Sequence, residues 1–176
     1  MDASATAQVD AIRLDIVRHQ LESAREYVMG LLADLDEHEW FLMPEGCATH
    51  VAWQVGHLAM AEYGLCLFRQ RGRQPEDLEL MPGTFRKAFS RGSTPSADSG
   101  KYPSRDSILE TLAAIRSRVL AELPGFAGSG LDDPIDPPHF AYPTRIGALL
   151  FSSHHELLHA GQIGLLRRQL GKDPIR

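Results

Sequence analysis

Helical periodicity constrains the fold of this chain more than any other feature of its sequence. In the first predicted helix, at about residues 9–35, apolar side chains follow one another at spacings of three and four: Leu14, Val17, Leu21, Ala24, Val28, Leu31 and Leu35. Such a stripe is typical of a helix that packs lengthwise against others. Further apolar stripes predict helices at about 49–71, 104–125 and 144–170.

Capping and breaking residues indicate where the other three helices begin and end. Thr49 is the predicted N-cap of the second helix, Ser104 opens the third, which ends at Pro124-Gly125, and Thr144 opens the fourth. No stretch alternates polar and apolar residues as a half-buried strand would. The sequence therefore predicts an all-α fold, a four-helix bundle with long crossover loops.

The connections between these helices differ in length. Residues 36–48 form a moderate loop, whereas 72–103 and 124–143 are long and rich in proline. Loops this long inside a compact domain are usually functional or disordered, and we predict one short helical turn at 84–89. With 176 residues the chain can bury a core of its own, so we expect a single domain over residues 1–176.

Charge and cysteine usage exclude several classes of protein. The formal net charge is −5 and there is no block of basic residues, which argues against binding to nucleic acid or to an anionic membrane. We find neither a signal peptide nor an apolar stretch long enough to span a bilayer. Because Cys47 and Cys66 form no C-x-x-C motif or disulfide framework, we expect a protein of the reducing cytoplasm.

The chemical signal lies in two histidines of the fourth predicted helix. The i, i+4 spacing places His155 and His159 on one face, about 5–6 Å apart at Cβ, where both imidazoles can bind one metal ion. They belong, with Gln162, to a seam that we expect to face the bundle centre: Ala148, Ser152, His155, His159, Gln162 and Leu166. Three polar groups buried on one seam are costly unless a partner such as a metal ion satisfies them.

The same segment matches the H-E-x-x-H string of zinc proteases, in which the glutamate is the general base. That interpretation is disfavoured because only 17 residues follow His159, with no histidine among them and Asp173 as the single acid. Glu156 lies about 100° around the helix from His155, so we expect it to lie outside the ligand set of the metal.

A third ligand has to come from another helix, and His57 is the best candidate. Its neighbour Gly56 lowers helix stability by about 1 kcal/mol relative to alanine, which indicates close packing or room for a site. Trp53, one turn earlier on the same face, would form a wall of the pocket. His50 is about 10 Å away along the axis, too far to share the ion. For His57 taken alone, a hydrogen-bonded core histidine is the more ordinary interpretation.

The remaining polar candidates have simpler interpretations. Surface, cap or loop positions are predicted for His19, His38, His50, His139 and His154. The segment His139-Phe140-Ala141-Tyr142 directly precedes the fourth helix and could hang over the site. Arg167-Arg168 is predicted to form a solvated face near a helix C-terminus, where cations are favoured.

Several segments resemble the DinB-like (DinB/YfiT-like) superfamily of metal-binding four-helix bundles. They are Thr49-x-x-x-Trp53…Gly56-His57-Leu58, the start of the third helix at Tyr102-Pro103-Ser104, and His155-x-x-x-His159-x-Gly161-Gln162-Ile163 with the following Leu165-Leu166-Arg167-Arg168 and Gly171. The last segment is the most specific, and the resemblance covers nearly the whole chain. It implies a divalent metal, commonly zinc or nickel, held by His57, His155 and His159.

The resemblance also implies a function and an assembly. Family members are frequently homodimers, and characterised ones include S-transferases and isomerases that use a low-molecular-weight thiol such as bacillithiol or mycothiol. We therefore expect a metal-dependent enzyme of the thiol S-transferase type acting on a small molecule. Trp53 and Tyr142 would line its pocket, and Gln162 would orient a ligand or bound water.

Two alternatives to the transferase stay open. One is a hydrolase that uses metal-bound hydroxide, and the other is a non-catalytic metal-binding or stress-response dimer. The resemblance assigns no role to Glu62 or Glu156.

Overall fold

Helices make up the regular structure of residues 3–175, the part of the chain that the computed structural model describes. In chain order they are α1 (Ala3–Leu32), α2 (Glu37–Phe41), α3 (Val51–Tyr63), α4 (Arg69–Arg71), α5 (Asp77–Leu80), α6 (Gly83–Phe89), α7 (Arg105–Glu122) and α8 (Arg145–Gln169). A π-helical segment, Gly64–Phe68, joins α3 to α4, and 3-10 turns occupy Ser99–Lys101 and Leu123–Phe126. Since residues 3–175 contain no strand, the predicted all-α class is confirmed.

The helices α1, α3, α7 and α8 form the bundle. α1 packs along α8, and α3 packs against both α7 and α8. Every residue of the stripe predicted for α1 is buried. Because burial of one Leu or Val side chain stabilises a fold by about 1.5–3 kcal/mol, this stripe is a main reason why α1 stays in the bundle. Within the described residues, no helix is both long and apolar enough to cross a membrane.

The helix starts follow the predicted caps with one exception. Ser104 caps α7 and Thr144 caps α8, each accepting a hydrogen bond from a backbone N–H three residues later. The N-cap of α3 is His50 instead of Thr49, because the His50 Nδ1 accepts the N–H of Trp53 at 3.2 Å. Thr49 is used differently, as its Oγ1 accepts a hydrogen bond from Nε2 of Gln54 at 3.0 Å.

The loops contain more helix than predicted. The turn predicted at 84–89 corresponds to α6, which packs against α3. The short helices α2 and α5 were not predicted. The start of α2 has a capping box, in which Asp36 and Glu39 each accept the other's backbone N–H. Its D-x-x-E spacing was visible in the sequence.

Two arginines and two glutamates form an ion cluster inside the bundle, which we call the buried quartet. Its members are Arg25 of α1, Glu62 of α3, Arg116 of α7 and Glu156 of α8. Arg25 donates to Glu62 at 2.8 Å and to Glu156 at 2.5 Å, while Arg116 donates to Glu62 at 2.5 Å and to Glu156 at 2.8 Å. Each bundle helix thus contributes one charge, and the four charges cancel.

Arg167 is a further buried arginine, and the sequence did not predict its burial. Its predicted solvated position is wrong, since the residue is only 1% exposed. It donates to the carbonyl of Leu31 at 2.6 Å and pairs with Asp34, which ties the end of α8 to the end of α1. Arg168 is exposed as expected. The two cysteines, Cys47 and Cys66, are free thiols.

Candidate metal centre

Three imidazoles meet where α3 and α8 face each other. His57 comes from the middle of α3, and His155 and His159 come from consecutive turns of α8. One ring nitrogen from each lies within 4.8 Å of the other two, an arrangement that could hold a metal ion. The Nε2 atoms of His155 and His159 are 3.3 Å apart. Two nitrogens bound tetrahedrally to one zinc ion also lie about 3.3 Å apart, so this pair is already spaced for a shared ion.

Hydrogen bonds to the second ring nitrogens orient two of these imidazoles. Nδ1 of His57 donates to the carbonyl of Phe89 at 2.8 Å, and Nδ1 of His159 donates to Oε1 of Gln54. The Gln54 amide is in turn fixed by its donation to Thr49. Because a carbonyl oxygen only accepts, the proton stays on Nδ1 and the lone pair of Nε2 is available to a metal.

Burial keeps the three histidines uncharged. It lowers the pKa of His155 to about 4 and that of His159 to about 3, and the neighbouring imidazoles add to both shifts. Burial also lowers the pKa of His57, with a further contribution from the positive charge of Arg91. Neutral imidazoles are the form that binds metals, and a set of three suits zinc, nickel, copper or iron.

A pocket of about 670 Å³ opens beside the three histidines. Its wall is largely aromatic: Trp53, Phe68, Phe140, Tyr142 and Phe151. Trp53 stacks on His57 with ring centroids 4.9 Å apart and planes within 6°. On the opposite side His139 stacks on Tyr142 at 3.8 Å, so the segment expected to hang over the site does line the pocket.

Gln162 also lines this pocket, but its side chain is exposed. The expectation that it points into the bundle core is wrong, because the pocket opens at this turn of α8. The seam returns to the core at the buried Leu166.

The glutamate of the H-E-x-x-H string does not face the histidines. Glu156 is 2% exposed and binds Arg25 and Arg116 in the buried quartet. Its carboxylate is therefore committed to two guanidinium groups, which agrees with the expectation that it lies outside the ligand set. A protease-like general base at this position is incompatible with that pairing.

Apart from His139, which lines the pocket, the other histidines lie away from the three at the centre. His19, His38 and His154 are exposed. His50, predicted as a surface, cap or loop residue, is a cap, but it is fully buried and packs edge-on against Tyr102.

Gly56 allows the close packing that the centre requires. A Cβ built at this position would lie 2.5 Å from the ring of Phe89. The absence of a side chain lets α6 approach α3, so that the Phe89 carbonyl reaches His57. Sequence reasoning missed Gln54 and Phe89. A glutamine within a helix gives no signal of a functional role, and Phe89 acts through its backbone carbonyl, which no side-chain pattern indicates.

The fold and the site together define a class of protein, an all-helical bundle with a three-histidine cluster between two of its helices. The family model of the DinB superfamily matches residues 20–163, which include His57, His155 and His159. The chain therefore belongs to the DinB superfamily, and the resemblance seen in the sequence is confirmed. A comparison with curated proteins found no match.

Proposed function

We propose that this protein binds one divalent metal ion through His57, His155 and His159 and acts as a metal-dependent enzyme on a small molecule. The observation that carries the proposal is the convergence of three neutral ring nitrogens, two of them 3.3 Å apart, at the floor of a pocket. The hydrogen bonds of His57 and His159 to Phe89 and Gln54 support it, because metal-ligating histidines are usually oriented this way.

Zinc or nickel is the ion that we propose, on the basis of the imidazole donors and the family. When bound, such an ion lowers the pKa of a coordinated water or thiol. The residues of this chain supply the surroundings. Trp53, Tyr142 and Phe151 give an apolar wall that excludes water, and the half-buried His155 leaves the centre open on the pocket side.

Thiol S-transfer is the reaction that this pocket favours. In that reaction the thiolate sulfur of a low-molecular-weight thiol bonds to an electrophilic carbon, and the leaving group departs with its electron pair. Among the described residues no carboxylate lines the pocket to act as a base toward water. Hydrolysis is the second candidate, favoured by the opening of the three-histidine cluster onto the pocket, through which water could reach a bound ion.

Metal analysis tests the first part of the proposal. Protein purified without a histidine tag should contain about one equivalent of transition metal, whereas His155→Ala should retain less than a tenth. His154→Ala is the matched control, because this neighbouring histidine is exposed and should leave the metal content unchanged. Less than a tenth of an equivalent in the unmutated protein refutes metal binding.

Turnover assays test the second part. Metal-loaded protein is given pairs drawn from a panel of thiols and electrophiles and, separately, a panel of esters. Metal-dependent consumption of a thiol supports the transferase, and metal-dependent ester cleavage identifies the hydrolase instead. A protein that holds its metal but turns over neither panel is a non-catalytic metal-binding protein.

A further inference from the structure

The charged side chains that line the pocket beside the three histidines are both arginines, Arg69 and Arg91. Among the described residues no Asp or Glu lines this pocket. This is unusual for a chain whose formal net charge is −5. A concave, largely apolar wall that carries one sign of charge concentrates its field and attracts the opposite charge.

The two arginines differ in how free their guanidinium groups are. Arg69 donates to the backbone carbonyls of Asp136 at 2.7 Å and Pro137 at 3.4 Å. For Arg91 the described part of the chain provides neither an ion pair nor a hydrogen bond. Arginines elsewhere in the bundle, such as Arg116 and Arg167, are paired with carboxylates. Arg69 is held through Nη1, whereas the whole guanidinium group of Arg91 is free of such contacts among the described residues, so Arg91 is the more available of the two cations to a ligand.

The turn that carries Arg91 is fastened to the pocket wall on both sides. Before it, the carbonyl of Phe89 accepts the hydrogen bond from His57 at 2.8 Å. After it, Oγ of Ser93 accepts a hydrogen bond from Nε1 of Trp53 at 2.9 Å, and the N–H of Ser93 closes the turn onto Ser90 at 2.9 Å. The backbone of Arg91 is thus held between two contacts from residues that line the pocket. Its position next to the metal centre follows from these hydrogen bonds.

We propose that Arg91 anchors a carboxylate group on the small molecule that this pocket takes. The planar guanidinium matches a carboxylate with two parallel N–H···O bonds, and the apolar part of the same molecule packs on Trp53 and Phe151. This assignment rests on the proposed function in that it treats the pocket as the substrate site. The contact with Arg91 itself does not require the metal.

The test uses metal-free, full-length protein, so that the carboxylate has no ion to bind. 3-Phenylpropionate and its uncharged match, 3-phenylpropanamide, are titrated separately into the unmutated protein, Arg91→Gln and Arg86→Gln, and binding is followed by ligand NMR. We expect the acid to bind the unmutated protein at least five-fold more tightly than the amide, and Arg91→Gln to abolish this preference. Arg86→Gln, on neighbouring α6 and outside the pocket, should retain it. Phenyl phosphate is a further probe. If it binds the unmutated protein more tightly than 3-phenylpropionate does, and Arg91→Gln abolishes that difference, Arg91 is a phosphate site and the carboxylate assignment is overturned.

Two results contradict the proposal directly. One is an acid that binds no more tightly than the amide to the unmutated protein, and the other is an Arg91→Gln variant that retains the acid preference while melting at an unchanged temperature. The metal content of Arg91→Gln, measured after purification, should equal that of the unmutated protein. If the unmutated protein lacks metal but shows the Arg91-dependent preference, the metal function fails and the carboxylate anchor stands.

Discussion

The ring of Phe89 lies against Gly56 so closely that a Cβ on Gly56 would meet three of its ring atoms at 2.5 Å. The carbonyl of the same phenylalanine accepts the hydrogen bond of His57, the next residue of α3. Gly56 therefore couples helix packing to the orientation of a metal-ligand candidate, and its low helix propensity is offset by this contact.

Gly56→Ala is expected to be destabilising although alanine is the better helix former. The added methyl group forces Phe89 away, and overpacking of this kind costs about 1–3 kcal/mol. Metal affinity should fall as well, because the Phe89 carbonyl that orients His57 moves with its residue. Urea unfolding and a metal titration measure the two effects. Gly30→Ala in α1 is the control, with open space around the new methyl group, and should not lower stability. A Gly56→Ala variant as stable as the unmutated protein contradicts this account.

Gln54→Leu should weaken metal binding without removing a ligand. The substitution takes away the oxygen that orients His159, and losses of such partners typically lower metal affinity about 10–100-fold. Competition with a chromophoric chelator measures the change. Thr49→Val removes only the hydroxyl that holds the Gln54 amide, so its effect should be smaller. Unchanged affinity in Gln54→Leu would show that the hydrogen bond has no role in the site.

Glu156→Ala tests the buried quartet against the protease-like interpretation. Removal of one partner leaves Arg25 and Arg116 with uncompensated charge in the core, and we expect a loss of about 3–5 kcal/mol in unfolding free energy. Metal content of the folded variant should be retained. Glu22→Ala, which breaks the exposed pair with Arg18, should cost less than about 1 kcal/mol. A stable Glu156→Ala protein that has lost only a hydrolytic activity would instead support a general-base role.

Acid should weaken the fold partly through Asp77. Arg71 above all, assisted by the N–H of Gln74 and the hydroxyl of Tyr63, lowers the pKa of Asp77 from 3.8 to about 2. Since the unfolded chain binds this proton more readily, the pairing stabilises the fold above pH 3.8 and is lost as the pH falls toward 2. Unfolding free energy should therefore fall less steeply in Asp77→Asn than in the unmutated protein between about pH 5, roughly one unit above 3.8, and about pH 2, the pKa of Asp77 in the fold. Parallel curves would rule out this contribution.

The bundle helices could be predicted from the sequence because their signals are local. The stripe of α1 and the caps Ser104 and Thr144 depend only on neighbouring residues. The paired arginines could not be predicted in this way. Arg116 and Arg167 can be buried because carboxylates from distant parts of the chain pair with them, and the sequence alone does not say which charges will meet. His50 replaced Thr49 as a cap for a similar reason, since Thr49 is engaged by Gln54.

The candidate site also contains residues that local sequence signals predict and residues that only the fold brings together. The spacing of His155 and His159 fixes their shared face on one helix, so their proximity followed from the sequence. His57 lies on a different helix and required either a resemblance or the fold. Arg91 reaches the pocket, and the Phe89 carbonyl reaches His57, through the path of residues 72–103, which no periodicity predicts.

The buried quartet has a consequence for how the protein unfolds. Each arginine needs both glutamates, so detaching any one of α1, α3, α7 or α8 leaves a charge without its counterpart in the interior. Partly opened forms are penalised, and we expect a single cooperative transition in which tryptophan fluorescence and helical circular dichroism change together. The helices α1 and α7 hold no histidine of the candidate metal centre. Through the buried quartet they nevertheless help to determine how readily the centre is lost by unfolding.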